Sequence, residues 1–216
     1  MLDLATNTAA REEVLERGQY ILEYAKNVSK LLSIALGHLT IARALFTLNS
    51  FEESRKEFEQ AVVWGRKACR IDLIPEFLLE RAKFHRHQKD FTSCQTDLDE
   101  SEEIIDRCGM ELYAVEAALL RGNINLDLNK TAQPEYETAK VLIEKTGYHL
   151  RNPELDLLGA RIAFYDKKLD KAQNQLKQAR ERLEKWVIGA CCRHGNEWKM
   201  NLKVSERNES GSRYFS

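Results

Sequence analysis

Small residues recur in pairs twelve positions apart, Ala42 with Ser54, Ala82 with Cys94 and Ala160 with Ala172. Two antiparallel helices approach closely only where side chains are small, so such pairs mark the crossing points of helical hairpins. Polar breaks fall between the members of each pair, at Asn49-Ser50, Lys89-Asp90 and the run Asp166 to Asp170. Pro75-Glu76 and Pro153-Glu154 open first helices, where proline forfeits no intrahelical hydrogen bond, and Cys108-Gly109 closes a second helix. A third pair, Gly122 and Ala139, is seventeen apart and reads as five residues inserted in the turn. The second-helix small residue returns at intervals of 40, 45 and 33 residues, the range of a helical solenoid. One hairpin leaves an apolar face uncovered, and the next hairpin covers it.

The expected fold is all-α, a right-handed α-solenoid of antiparallel helix pairs. Residues 1–28 form a polar lead and a first helix, 29–186 four helix pairs, and 187–216 an irregular, flexible tail. That first helix either caps the array or is the second half of an earlier pair. Loss of the pattern after Val187 reads as a disordered extension or as an array cut short there. With 33 basic against 34 acidic residues, the chain lacks the positive excess a general nucleic-acid binder carries, so no nucleic-acid partner is expected. It shows no secretory leader and no apolar run long enough to span a bilayer, and its five cysteines suit a reducing, cytoplasmic setting rather than a disulfide framework. The oligomeric state is left open.

The fourth pair, through Ala160, Ala163, Leu169, Ala172, Leu176 and Ala179, resembles a tetratricopeptide repeat. The first matches through Ala42, Leu45, Phe51, Ser54, Phe58 and Ala61, whereas the second and third depart from the pattern at His85, Cys94, Asn125 and Thr146. The uneven spacing is also similar to arrays in MalT-like regulators and related bacterial signalling ATPases; lacking a GxxxxGK[ST] phosphate loop, this chain would supply only their sensor or scaffold part. The tetratricopeptide resemblance implies a peptide-binding groove lined by first helices. Carried over by alignment, one row is Leu39, Leu79, Leu119 and Leu157, the next Arg43, Lys83, Asn123 and Arg161, and the third Phe46, Arg86, Leu126 and Phe164. Beside the third stand Thr47, His87, Asp127 and Tyr165. Together they imply an apolar floor, a basic stripe and aromatic anchors for a protein or peptide with an acidic or C-terminal segment. Leucine stands where one lysine of the chaperone-tail carboxylate clamp would fall, which argues against that specificity. Glu76, Glu116 and Glu154 recur near the starts of first helices and offer the opposing reading, in which they neutralise the basic stripe.

No catalytic, cofactor or metal site is expected. His85 and His87 point in different directions on a helix, so His85 reads as packed and His87 as solvated. Cys191-Cys192-Arg193-His194 lacks the spacing and the second cluster of a zinc site. The competing roles are a structural spacer or oligomerisation segment and, further off, a helical enzyme.

Overall fold

The computed structural model describes residues 8–193. The helices are α1 Thr8–Asn27, α2 Leu31–Thr47, α3 Phe51–Lys67, α4 Ile74–His87, α5 Phe91–Cys108, α6 Glu111–Asp127, α7 Gln133–Thr146, α8 Asn152–Tyr165 and α9 Leu169–Arg193. A 3-10 turn, His149–Arg151, precedes α8. Among the described residues there is no strand, and no helix is long and apolar enough to cross a membrane. Of the irregular tail expected over 187–216, residues 187–193 instead continue α9 as helix, and the remainder lies outside the described residues.

Consecutive helices pack in pairs, α2 on α3, α4 on α5, α6 on α7 and α8 on α9, and each pair leans on the next through α3 with α4, α5 with α6 and α7 with α8. The first helices also touch along one side, α4 with α6 and α6 with α8. This is the α-solenoid expected, with the core divided into successive blocks. One block joins Leu39, Phe58, Phe77 and Phe84, the next Leu79, Leu98, Leu120 and Ile124, and the third Val115, Ile143, Leu155 and Leu158.

The twelve-residue pairs do what their size allows. Ser54 Oγ donates to the Ala42 carbonyl at 2.9 Å and Cys94 Sγ to the Ala82 carbonyl at 3.1 Å, so a small polar atom replaces a bulky group at each crossing. Ala160 and Ala172 are buried at the equivalent place. The third pair differs from expectation. A Cβ at Gly122 would lie 3.3 Å from the Cβ of Glu135, so Glu135 and not Ala139 stands opposite it. Ala139 packs instead with Val115, Leu126 and Ile143 in the core. The loop from α6 to α7 has five residues against three from α2 to α3, an extension of two rather than five.

The turns carry a regularity of their own. Ser29, Asn49, Cys69, Lys89, Gly109, Asn129, Gly147 and Lys167 all have positive φ, and successive positions are twenty residues apart except for an eighteen-residue step from Asn129 to Gly147. At Asn49 the geometry is a Schellman end: its amide donates to Phe46 O at 3.1 Å and the Ser50 amide to Leu45 O at 2.9 Å. The same double bond closes α4 at Lys89-Asp90 and α8 at Lys167-Lys168. A left-handed conformation costs a β-carbon-bearing residue about 1 kcal/mol, so Lys89→Gly and Lys167→Gly are each expected to raise unfolding stability by up to about 1 kcal/mol. Gly65→Ala acts oppositely, because its Cβ would sit 2.7 Å from the buried Phe77 ring, and a loss of about 1–3 kcal/mol is expected. Urea unfolding of the three variants measures both signs.

Candidate peptide-binding groove

First helices need apolar residues over much of their circumference, because each faces its own second helix and both neighbouring pairs. In α2 the buried set runs Ile34, Ala35, Gly37, His38, Leu39, Ile41, Ala42 and Ala44. What escapes burial is a narrow stripe, and the successive stripes of α2, α4, α6 and α8 line one concave groove of about 1330 Å³. Val14, Gly18 and Ile21 of α1 close one end, and Leu157 with Leu176 of α9 border the other.

The predicted first row is out of phase with this stripe. Leu39 and Leu79 are each 1% exposed, inside the core, and Leu119 is buried with only its edge on the groove. Leu157 alone of that row is substantially exposed, at 41%. One position further along the helix turns the side chain by about 100°, and there Thr40 and Glu80 do line the groove, with Leu36, Glu116 and Glu154 about a turn earlier in their helices. Sequence alignment therefore placed the apolar floor one residue too early in α2 and α4.

The row of Arg43, Lys83, Asn123 and Arg161 does reach the groove, as do Phe46 and Arg86. It is not a free basic stripe. Arg43 of α2 donates to Glu80 at 2.9 Å and Glu76 at 3.3 Å, both on α4. Lys83 of α4 donates to Glu80 at 2.7 Å and to Glu116 of α6 at 3.4 Å. Arg151, ahead of α8, donates to the same Glu116 and, at 2.6 Å, to Glu154. A second chain runs alongside: Asp127 of α6 accepts from Arg86 of α4 at 2.6 Å and from Arg161 of α8 at 2.5 Å, while Arg161 also donates to Asn123 Oδ1. Of the recurring glutamates, Glu76 and Glu116 thus do neutralise the basic row across repeats, whereas Glu154 pairs with Arg151 of its own repeat. Glu80, Asp127 and Arg151 are the residues this arrangement most depends on. Asp127 stands in the adjoining row of the sequence pattern, whereas Glu80 and Arg151 recur at no period that would single them out.

The aromatic positions divide. Phe46 is half-buried and packs against Phe51, Phe84 and His87, with its centroid 4.9 Å from that of His87, so it braces the groove wall. Phe164 stands 62% exposed, and Tyr165 donates its hydroxyl to the Asn129 carbonyl at 3.0 Å, tying α8 to the preceding turn. Neither lines the groove. His85 is buried and His87 exposed, and His85 lies 3.8 Å from Asp97, which holds Arg81 through two hydrogen bonds. Burial pushes the His85 imidazole below its ordinary value. Among the described residues no group of three or more His, Cys, Asp or Glu side chains could hold a metal ion.

Charge pairing sets the titration of the groove. Burial alone would raise the Glu80 carboxyl, but Lys83 and Arg43 override it and hold the group down to about 2. Lys83 is raised despite its burial, through Glu80 and Glu116. Asp127 is likewise lowered against its burial by Arg86 and Arg161.

No protein-family model matches the chain, and no curated protein does. Among solved structures, the apo form of RapI resembles it with a TM-score of 0.66 at 15% sequence identity, over 82% of this chain. The chain spans 64% of the length of that one. The likeness lies in the fold, and with the paired helices it makes the chain a TPR-like α-solenoid.

Because the folded Glu80 carboxyl titrates near 2 rather than its ordinary 4.5, its stabilisation is complete above about pH 4.5 and disappears as pH falls through 2. The difference amounts to at most about 3 kcal/mol. Glu80→Gln is therefore expected to cost most at pH 7 and almost nothing near pH 2. Denaturant unfolding of both proteins across this range measures the convergence; a constant gap at every pH would contradict it.

Proposed function

We propose that the chain is a non-catalytic scaffold that holds an extended peptide segment of a partner protein along the inner groove. The observation that supports this reading is the groove itself, about 1330 Å³ running from α1 to α8 and walled by side chains already fixed by ion pairs. Side chains ordered before binding spare the complex part of its entropic cost.

Pairing changes the chemistry expected of the peptide. An acidic or C-terminal segment would have to displace Glu80, Glu116 or Asp127 from the cations they already hold, which returns little net energy. The favoured occupant is instead a segment of mixed polarity, with hydrogen-bonding groups over the paired centre and apolar anchors near Leu36 and Leu157. Its binding depends only weakly on salt, since no large uncompensated potential draws it in. A place as the sensor segment of a larger regulator is a wider form of the same proposal. The uneven spacing that suggested MalT-like arrays does not carry it, because the turns fall at near-constant intervals.

A displayed library of random peptides selected on the intact chain provides the test. Enriched peptides are expected to bind saturably and to lose about tenfold or more in affinity on Leu157→Arg or Leu36→Arg, both at exposed positions that leave the melting temperature unchanged. Enriched peptides indifferent to both substitutions would remove the groove as the binding surface.

A further inference from the structure

The outer face of α9 carries Leu169, Leu176 and Leu183 at seven-residue spacing, exposed by 58%, 49% and 49%. The three span about 21 Å of helix. Ala172 and Ala179, one turn either side of Leu176 and on the adjoining face, are already buried against α8. Counted from the residue that opens each second helix, Leu176 corresponds to Phe58 of α3 and Leu98 of α5, and Leu183 to Ile105 of α5. Those counterparts are 2%, 0% and 3% exposed. What covers them is known: Phe58 packs with Phe77 and Phe84 of α4, and Leu98 and Ile105 pack with Ala117, Leu120 and Ile124 of α6. Among the described residues, the positions that on α3 and α5 receive a following first helix are left exposed on α9.

We propose that this end of the solenoid is a docking surface for an amphipathic α-helix of a partner protein, bearing apolar side chains at i, i+3 and i+7 and acidic flanks. The apolar spacing is that of Ala117, Leu120 and Ile124, which serve the equivalent surface one repeat away. Acidic flanks follow from charge. Between Asp166 and Lys185 there are seven basic side chains and four acidic ones. Arg182 is held by Asp156 of α8 at 2.9 Å, while the pairs Lys168 with Asp166, Lys177 with Glu181 and Arg180 with Glu184 are well exposed and weakly held, which leaves the surface net positive. A helix laid along the leucine row brings its flanks to these cations. The surface meets the end of the groove at Leu176, while Leu169 and Leu183 lie outside the groove lining.

The probe is a side-chain-stapled peptide of residues Glu111–Asp127, confirmed helical by circular dichroism, which has three acidic residues to one basic. It is titrated into the intact chain by fluorescence anisotropy. Saturable binding is expected, weakened tenfold or more by Leu183→Glu and unchanged by Leu157→Arg, the melting temperature of either variant being that of the parent. Raising the salt concentration is expected to weaken it several-fold. Absence of saturable binding, or equal binding by Leu183→Glu, would overturn the proposal. So would a dimer in sedimentation that Leu183→Glu converts to monomer, since a second copy would then be the occupant.

Discussion

Carboxylates of one repeat holding the cations of the next are the interaction on which the inner face depends. A solenoid has no contacts between distant parts, so its curvature is set seam by seam. At the seams of this one the backbones of the first helices meet sparsely, and long side chains span the remaining gap. Arg43 bridges α2 to α4, Lys83 bridges α4 to α6, and Arg151 ties the start of α8 to Glu116. Asp127, held from both sides by Arg86 and Arg161, joins three helices through one carboxylate. Each pair is partly shielded from water, where an ion pair is worth more than on an open surface but leaves a costly orphan if one partner is removed. The same pairing determines what the groove can recognise, because a cation already engaged is a positioned hydrogen-bond donor more than a source of attraction.

Much of the architecture was legible because it rests on volume. Ala42 with Ser54 and Ala82 with Cys94 are spaced by the geometry of helix crossing, where each small side chain lets the partner helix approach. The third repeat misled because Gly122 is opposed by Glu135, a large residue in a small residue's place, tolerated where glycine leaves room and Asn125 donates to its carboxylate at 3.0 Å. The most regular feature of all, the left-handed turn residue every twenty positions, was hidden by its chemistry. Serine, asparagine, cysteine, lysine and glycine all occupy it, so the conformation is imposed by the helix ends that meet there rather than by a residue type.

The groove was legible in part for a related reason. A first helix such as α2 buries residues over most of its circumference, so its apolar pattern does not reveal which narrow stripe faces solvent. An error of one position moves Thr40 to Leu39, from groove to core. Charged residues gave the phase more reliably, since Arg43, Lys83 and Arg161 cannot be buried without partners. Glu76, Glu116 and Glu154 near the helix starts showed where partners could come from. Pairing across repeats, by contrast, depends on the angle between them, which no local pattern encodes.

That the inner cations serve to join repeats is the claim from which the groove's neutrality follows, and a double-mutant cycle on Arg43 and Glu80 tests it most directly. Unfolding free energies of the parent, Arg43→Met, Glu80→Gln and the double variant give the coupling across the α2–α4 seam at pH 7. With solvent screening at the half-exposed Arg43 allowed for, a favourable coupling of about 1 kcal/mol is predicted. A coupling within about 0.3 kcal/mol of zero would contradict it, leaving Arg43 a cation available to an acidic ligand.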